Sequence, residues 1–145
     1  MSQENVDLLM SLLDTPEVDV VQLYRDEALL AAGVDAFTPY LSPDFETIVH
    51  GGPAGEQTFV GVAGFATFWR DWLAPYSSYR QEIERAVDLG DSVLLLIRDF
   101  ARPADSEEEV RGNHAAVWTL RDGKIAAAEF YASRLEALRA VGLEE

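Results

Sequence analysis

Glu129, His114 and Arg98 are the side chains whose types and spacing point to chemistry in this chain. Two of them lie in residues 110–133, VRGNHAAVWTLRDGKIAAAEFYAS, which read as a β-hairpin. Asp122-Gly123 supplies the positive φ angles of a two-residue type I′ turn between runs of strand-forming residues. With Arg121 and Lys124 closing the turn, regular pairing sets Leu120 opposite Ile125, Trp118 opposite Ala127, Ala116 opposite Glu129 and His114 opposite Tyr131. These eight then share one face, which joins a carboxylate, an imidazole, a phenol and an indole, with the two alanines leaving room between them. Such a face is suited to wall a cavity. A carboxylate held there is a candidate general base for a proton beside a carbonyl. Arg98 in the same cavity would suit activation of a water or polarisation of an epoxide or carbonyl oxygen. Tyr131 and Tyr24 are candidate donors to a developing oxyanion, and Trp118, Ala116 and Phe100 complete the expected ligand-binding surface. Each has a plainer alternative: Glu129 as a solvent carboxylate or a partner of Arg98, His114 as a hydrogen-bonded wall residue, Trp118 as core. One slip of register exchanges the two faces of the hairpin.

The elements that position these residues read in series. Residues 2–13 have apolar positions at helical spacing, and Thr15-Pro16 restarts the pattern for a helix that Gly33 ends. Residues 35–41 form a broken helical turn, residues 45–50 a strand and residues 51–55 a glycine-rich surface loop. Phe65, Phe68, Trp69, Trp72 and Leu73 recur at spacings of three and four, an aromatic helix stripe that needs a sheet to cover it. Strands at 79–89 and 92–102 follow, joined at Gly90-Asp91, then the hairpin. If Leu89 faces Ser92, Ile83, Arg85 and Val87 join Leu94, Leu96, Arg98 and Phe100 on one face, and Glu82, Glu84 and Asp88 join Val93, Leu95 and Ile97 on the other. Ser133, with Glu136 three residues on, caps a C-terminal helix that ends at Gly142.

At 145 residues the chain reads as a single domain with a real core, and 48% hydrophobic residues exclude wholesale disorder. Eleven basic against 26 acidic residues give a net charge of −15, which disfavours nucleic acid and anionic membrane surfaces as partners. There is no cysteine, and the two histidines, His50 and His114, have no metal-ligand spacing, so neither a metal nor a thiolate is expected. No phosphate-binding glycine motif suggests a nucleotide, and no cofactor is expected. Without a leader pattern or a long apolar span, a cytoplasmic location is the default expectation.

The fold class is α+β, with N-terminal helices packed on a curved, mainly antiparallel sheet. The segments DAFTPYLSPDFE, FVGVAGFATFWRDWL, DLGDSVLLLIR and AVWTLRDGKIAAAEFYASRLEALRAVGL resemble SnoaL-like proteins of the nuclear-transport-factor-two-like superfamily. Residues 117–125, VWTLRDGKI, carry the most specific likeness, which covers roughly residues 18–143 and leaves residues 1–14 as an extra N-terminal helix. The resemblance implies a conical fold enclosing one apolar pocket for a small hydrophobic ligand, and a homodimer through the outer sheet face. The smooth hairpin face of Ala115, Val117, Ala126, Ala128 and Phe130 fits such a dimer. Relatives often carry a histidine or aspartate just before the Val-Trp pair; here that position is Ala116, with His114 two residues earlier as its candidate replacement. The same cone hosts cyclases, isomerases, hydrolases and non-catalytic members. A cofactor-free acid-base enzyme with a carboxylate base, a ligand-binding protein and a dimeric scaffold therefore all remain open.

Overall fold

The computed structural model describes residues 2–51 and 55–143; residues 52–54 of the expected glycine-rich loop lie outside the described residues. Three helices come first, α1 (Ser2–Leu13), α2 (Val20–Arg25) and α3 (Glu27–Phe37), and a 3-10 turn at Thr38–Tyr40 leads into β1 (Leu41–His50). Next come β2 (Gln57–Val60), α4 (Gly61–Leu73), β3 (Tyr76–Asp88), β4 (Ser92–Pro103), β5 (Val110–Arg121), β6 (Lys124–Tyr131) and α5 (Arg134–Ala140). The strands form one sheet in the order β2-β1-β6-β5-β4-β3, antiparallel throughout except for the parallel β1–β6 pair. This is the expected α+β cone, with the N-terminal helices and α4 inside the curved sheet.

The single helix expected up to Gly33 is two. Asp19 caps α2 by accepting from the Val21 amide, and Asp26 ends it and caps α3 by accepting from the Ala28 and Leu29 amides. An aspartate accepting the free amides of a first turn favours an extended backbone at its own position, so it breaks the chain where apolar spacing alone continues. Strand β2 is an addition to the expected elements; its four residues are too few for an alternation pattern. Helix α4 buries Phe68, Trp69 and Leu73 on the sheet, each side chain contributing about 1.5–3 kcal/mol of transfer free energy. Gly64 lets α4 approach β2 closely, since a Cβ there would lie 2.8 Å from the carbonyl carbon of Phe59.

Two of the sheet's register irregularities, one in β6 and one in β3, bear on which of the expected site residues face the core. The hairpin turn is as expected, with Asp122 at φ 54° and Gly123 at φ 77°, and Arg121 and Leu120 pair with Lys124 and Ile125. Ala126 is then an extra residue on β6, so Thr119 pairs with Ala127, Trp118 with Ala128, Val117 with Glu129, Ala116 with Phe130 and Ala115 with Tyr131. This corrects the shared face expected for Glu129, Tyr131, Ala116 and His114: Phe130 and Ala128 enter the main core, and Glu129 and Tyr131 turn to the other sheet face, where Tyr131 is buried in a smaller cluster with Ala115, Val117 and Ala137. Likewise Leu89 meets Ser92 as expected, but Glu84 is an extra residue on β3 between the Arg85–Leu96 and Ile83–Ile97 pairs. Ile83, Gln81 and Tyr79 therefore face inward beside Ile97, Asp99 and Ala101, and Glu82 turns outward beside Arg98.

The smooth face expected to form a dimer is divided by the first bulge. Ala128 and Phe130 belong to the main core, and Ala115 and Val117 are covered by Ala137 and Leu138 of the chain's own α5 and by Val141 just after it. Glu84 anchors that helix: its oxygens accept from Arg98 Nε at 2.6 Å and Arg134 Nη1 at 2.8 Å, and Arg134 Nη2 donates to the Ile97 carbonyl at 2.9 Å.

Candidate functional site

A cavity of about 140 Å³ opens inside the cone, between the N-terminal helices and the sheet. Leu12, Tyr24 and Phe37 close it on the helical side, and Phe65 and Trp69 of α4 form another wall. The sheet contributes Gln81 and Ile83 from β3, Leu95 and Ile97 from β4, Trp118 from β5 and Phe130 from β6. A second space of about 190 Å³ adjoins it, sharing Leu12, Leu23, Tyr24, Phe37 and Phe65. Phe37 and Phe65 stack between the two, 5.8 Å apart and 13° from parallel.

The wall is apolar apart from a few groups. Trp118 Nε1 and Gln81 Oε1 are buried without a hydrogen-bond partner. Burial pushes the Tyr24 phenol up to about 12, with the Arg70 charge partly offsetting it, so Tyr24 stays a neutral donor at any ordinary pH. A chamber of this volume accepts a single six-membered ring.

Behind Phe130 lies a polar network. His114 is 2% exposed and its Nδ1 lies 2.9 Å from Asp99 Oδ2, and the Tyr79 hydroxyl donates to Asp99 Oδ1. Burial is the main cause that pushes the Tyr79 phenol up, and the Asp99 charge adds to it, so Tyr79 remains protonated. Facing a carboxylate, Nδ1–H is the donor in this contact. The imidazole packs 5.6 Å from the Trp72 ring and 6.3 Å from Phe130. Among the described residues no three His, Asp or Glu side chains are grouped to hold a metal ion.

Of the residues expected to share a cavity, Tyr24 and Trp118 line it, His114 sits one ring behind its wall, and Ala116 is wholly buried on the same sheet face. The others lie elsewhere. Glu129 is on the outer face, its Oε1 3.0 Å from His50 Nε2, and His50 Nδ1 is 3.3 Å from Glu56. Tyr131 stacks on His50 at 4.4 Å, and burial together with Glu129, Glu56 and Glu136 raises its phenol. Arg98 is half-exposed and held by Glu84 and Glu82. Phe100 lies outside beneath the guanidinium groups of Arg80 and Arg111, 5.4 and 5.5 Å from its ring centre. The bulge at Ala126 displaces Glu129 and Tyr131, whereas Arg98 and Phe100 pair regularly with Asn113 and Arg111, on the face opposite His114.

Asp99, Tyr79 and Gln81 are site residues that the sequence reading missed. Asp99 carried a usable signal, an acid continuing the inward alternation of Leu95, Ile97 and Ala101. Tyr79 and Gln81 were hidden by the extra residue Glu84, which inverts their parity.

The profile of the SnoaL-like domain matches residues 20–128. The chain belongs to the SnoaL-like domain family. The match begins at the first residue of α2, leaving α1 outside it. Among solved structures the chain is similar to a SnoaL-like protein from Jannaschia sp. CCS1, with a TM-score of 0.66 and 17% identity over 99% of this chain and 94% of that one. It is also similar to TerC, crystallised with polyporic acid, with a TM-score of 0.66 and 16% identity over 96% and 98% of the two chains. An NTF2-like protein of unknown function from Burkholderia pseudomallei K96243 gives 0.65 and 16% over 97% and 98%. At such identity the likeness is one of fold. No curated protein matches the sequence. A SnoaL-like domain with a buried aromatic and apolar cluster thus houses a small-molecule pocket.

Proposed function

We propose that this SnoaL-like protein binds a small, single-ring, oxygenated molecule inside its cone. The supporting observation is the pair of buried polar atoms on the cavity wall without partners, the Trp118 indole N–H and the Gln81 side-chain carbonyl. Leaving a buried donor or acceptor unmet costs about 1–3 kcal/mol, which a ligand recovers by offering one acceptor and one donor. A hydroxylated aromatic ketone has both, and its ring matches the aromatic walls. The test is calorimetric titration with 4-hydroxyacetophenone and with its apolar analogue 4-ethyltoluene. Trp118→Phe is expected to weaken the ketone about tenfold and to leave the hydrocarbon unchanged. Equal effects on both, or none on either, would remove the basis of this reading.

A further inference from the structure

A separate groove of about 300 Å³ lies at the far ends of β3, β4 and β5, and none of its lining residues is shared with the cone cavity. Trp72 from the end of α4, with Tyr76 and Tyr79 from β3, gives it three aromatic walls, and Asp99 of β4 gives it a carboxylate. The rings are set at angles to one another: Trp72 and Tyr79 at 89° with centres 6.5 Å apart, Tyr76 and Tyr79 at 43° and 5.6 Å. The Asp99 side chain is 13% exposed, so it is withdrawn from bulk water yet reachable. Its oxygens accept from the Tyr79 hydroxyl and from His114 Nδ1, and among the described residues it pairs with no lysine or arginine, so no permanent cation cancels its charge. Ala101, Pro103, Val110, Gly112 and Asn113 complete the lining and add no positive charge.

We propose that this groove is a binding site for a small alkylammonium cation. Aromatic faces attract a cation through the ring quadrupole, and the attraction grows as water is excluded. A methylated ammonium also buries its methyl groups against the rings without demanding hydrogen bonds, which suits walls of two tyrosines and a tryptophan. The recessed carboxylate supplies the counter-charge in a medium less polar than water. The net charge of −15 raises the local concentration of any cation around the molecule. A primary ammonium, more strongly hydrated, would find one carboxylate and little else. The groove shares no lining residue with the cone cavity, and Asp99 and Tyr79 join it to the His114 network behind Phe130.

The test uses choline and its uncharged isostere 3,3-dimethylbutan-1-ol, titrated at constant ionic strength and pH 8 into nitrogen-15-labelled protein. Each of the three tryptophans, Trp69, Trp72 and Trp118, gives one indole N–H resonance. Choline is expected to shift the Trp72 resonance and leave Trp118 in place, with an affinity at least about tenfold above that of the isostere. Asp99→Asn, which retains an acceptor for Tyr79, weakens choline about tenfold. Because Asp99 also holds His114, Tyr76→Ala at the half-buried rim is the second variant, and it weakens choline about fivefold with the His114 network intact. Equal binding of choline and the isostere, a shift confined to Trp118, or wild-type affinity in both variants would overturn the proposal. The hydroxyketone reading is tested separately, by its own titration and the Trp118→Phe variant.

Discussion

Truncating Phe130 and Glu129 separately tests the bulge at Ala126, on which the arrangement of the cone interior depends. Phe130 is 4% exposed, stacks 4.7 Å from Phe68, and has Trp118, Trp69 and His114 within 6.0–6.3 Å. Phe130→Ala removes a ring from a packed aromatic cluster and leaves a void, a change that costs about 3–5 kcal/mol. Glu129 is its immediate neighbour on the other face, 30% exposed and paired with a His50 that is 23% exposed. Glu129→Ala loses a screened pair on the surface and costs about 0–1 kcal/mol. For a chain of this size each kcal/mol moves the melting temperature by about 2–4 °C. The two variants should therefore fall roughly 6–20 °C and under about 4 °C below the wild type. The assay is thermal unfolding followed by tryptophan fluorescence, with the melting temperatures of the two variants compared with the wild type. Pairing without the bulge would bury Glu129 opposite Ala116 and put Phe130 in solvent. In that case Glu129→Ala would stabilise the protein, by removing a buried charge, and Phe130→Ala would be nearly silent. That reversed order is the result that would refute the bulge, and with it the placement of the aromatic wall.

Two pH responses follow from the same structure. Burial raises the Tyr24 phenol from 10.0 to about 12, so the stability it lends is complete below pH 10 and is lost as pH climbs toward 12; Tyr24→Phe should make the alkaline loss shallower in a thermal-melt series, the remainder belonging to Tyr79 and Tyr131. Arg134 and then Arg98 hold the Glu84 carboxyl below its usual 4.5, so its contribution is present above pH 4.5 and disappears as pH falls through the lowered value. Hydrogen exchange of the α5 amides should accelerate over that acid window in the wild type, and Glu84→Gln should show fast exchange already at neutral pH.

Much of the fold was legible because its signals are local. Asp122-Gly123 announced its turn, Ser133 and Glu136 the start of α5, and the spacing of Phe65, Phe68, Trp69 and Trp72 the buried face of α4. The candidate site was less legible. Glu129 and Tyr131 were put inside by counting alternate residues from a correctly placed turn, and the count failed at one inserted residue. Ile83 and Glu82 were exchanged in the same way by Glu84.

By itself, then, the sequence determined the element types, the α+β class, the turn positions, the acidic field and the family, since each depends on residue type and near-neighbour spacing. Tertiary structure alone decided the two bulges, the parallel pairing of β1 with β6 and the docking of α5 over Ala115 and Val117. It thereby decided that Asp99, Tyr79 and His114 meet while Glu129 and Arg98 find other partners. A bulge costs little in local conformational energy and is selected by how well the whole sheet packs on α4. No short stretch of sequence encodes it, yet it inverts every side chain beyond it.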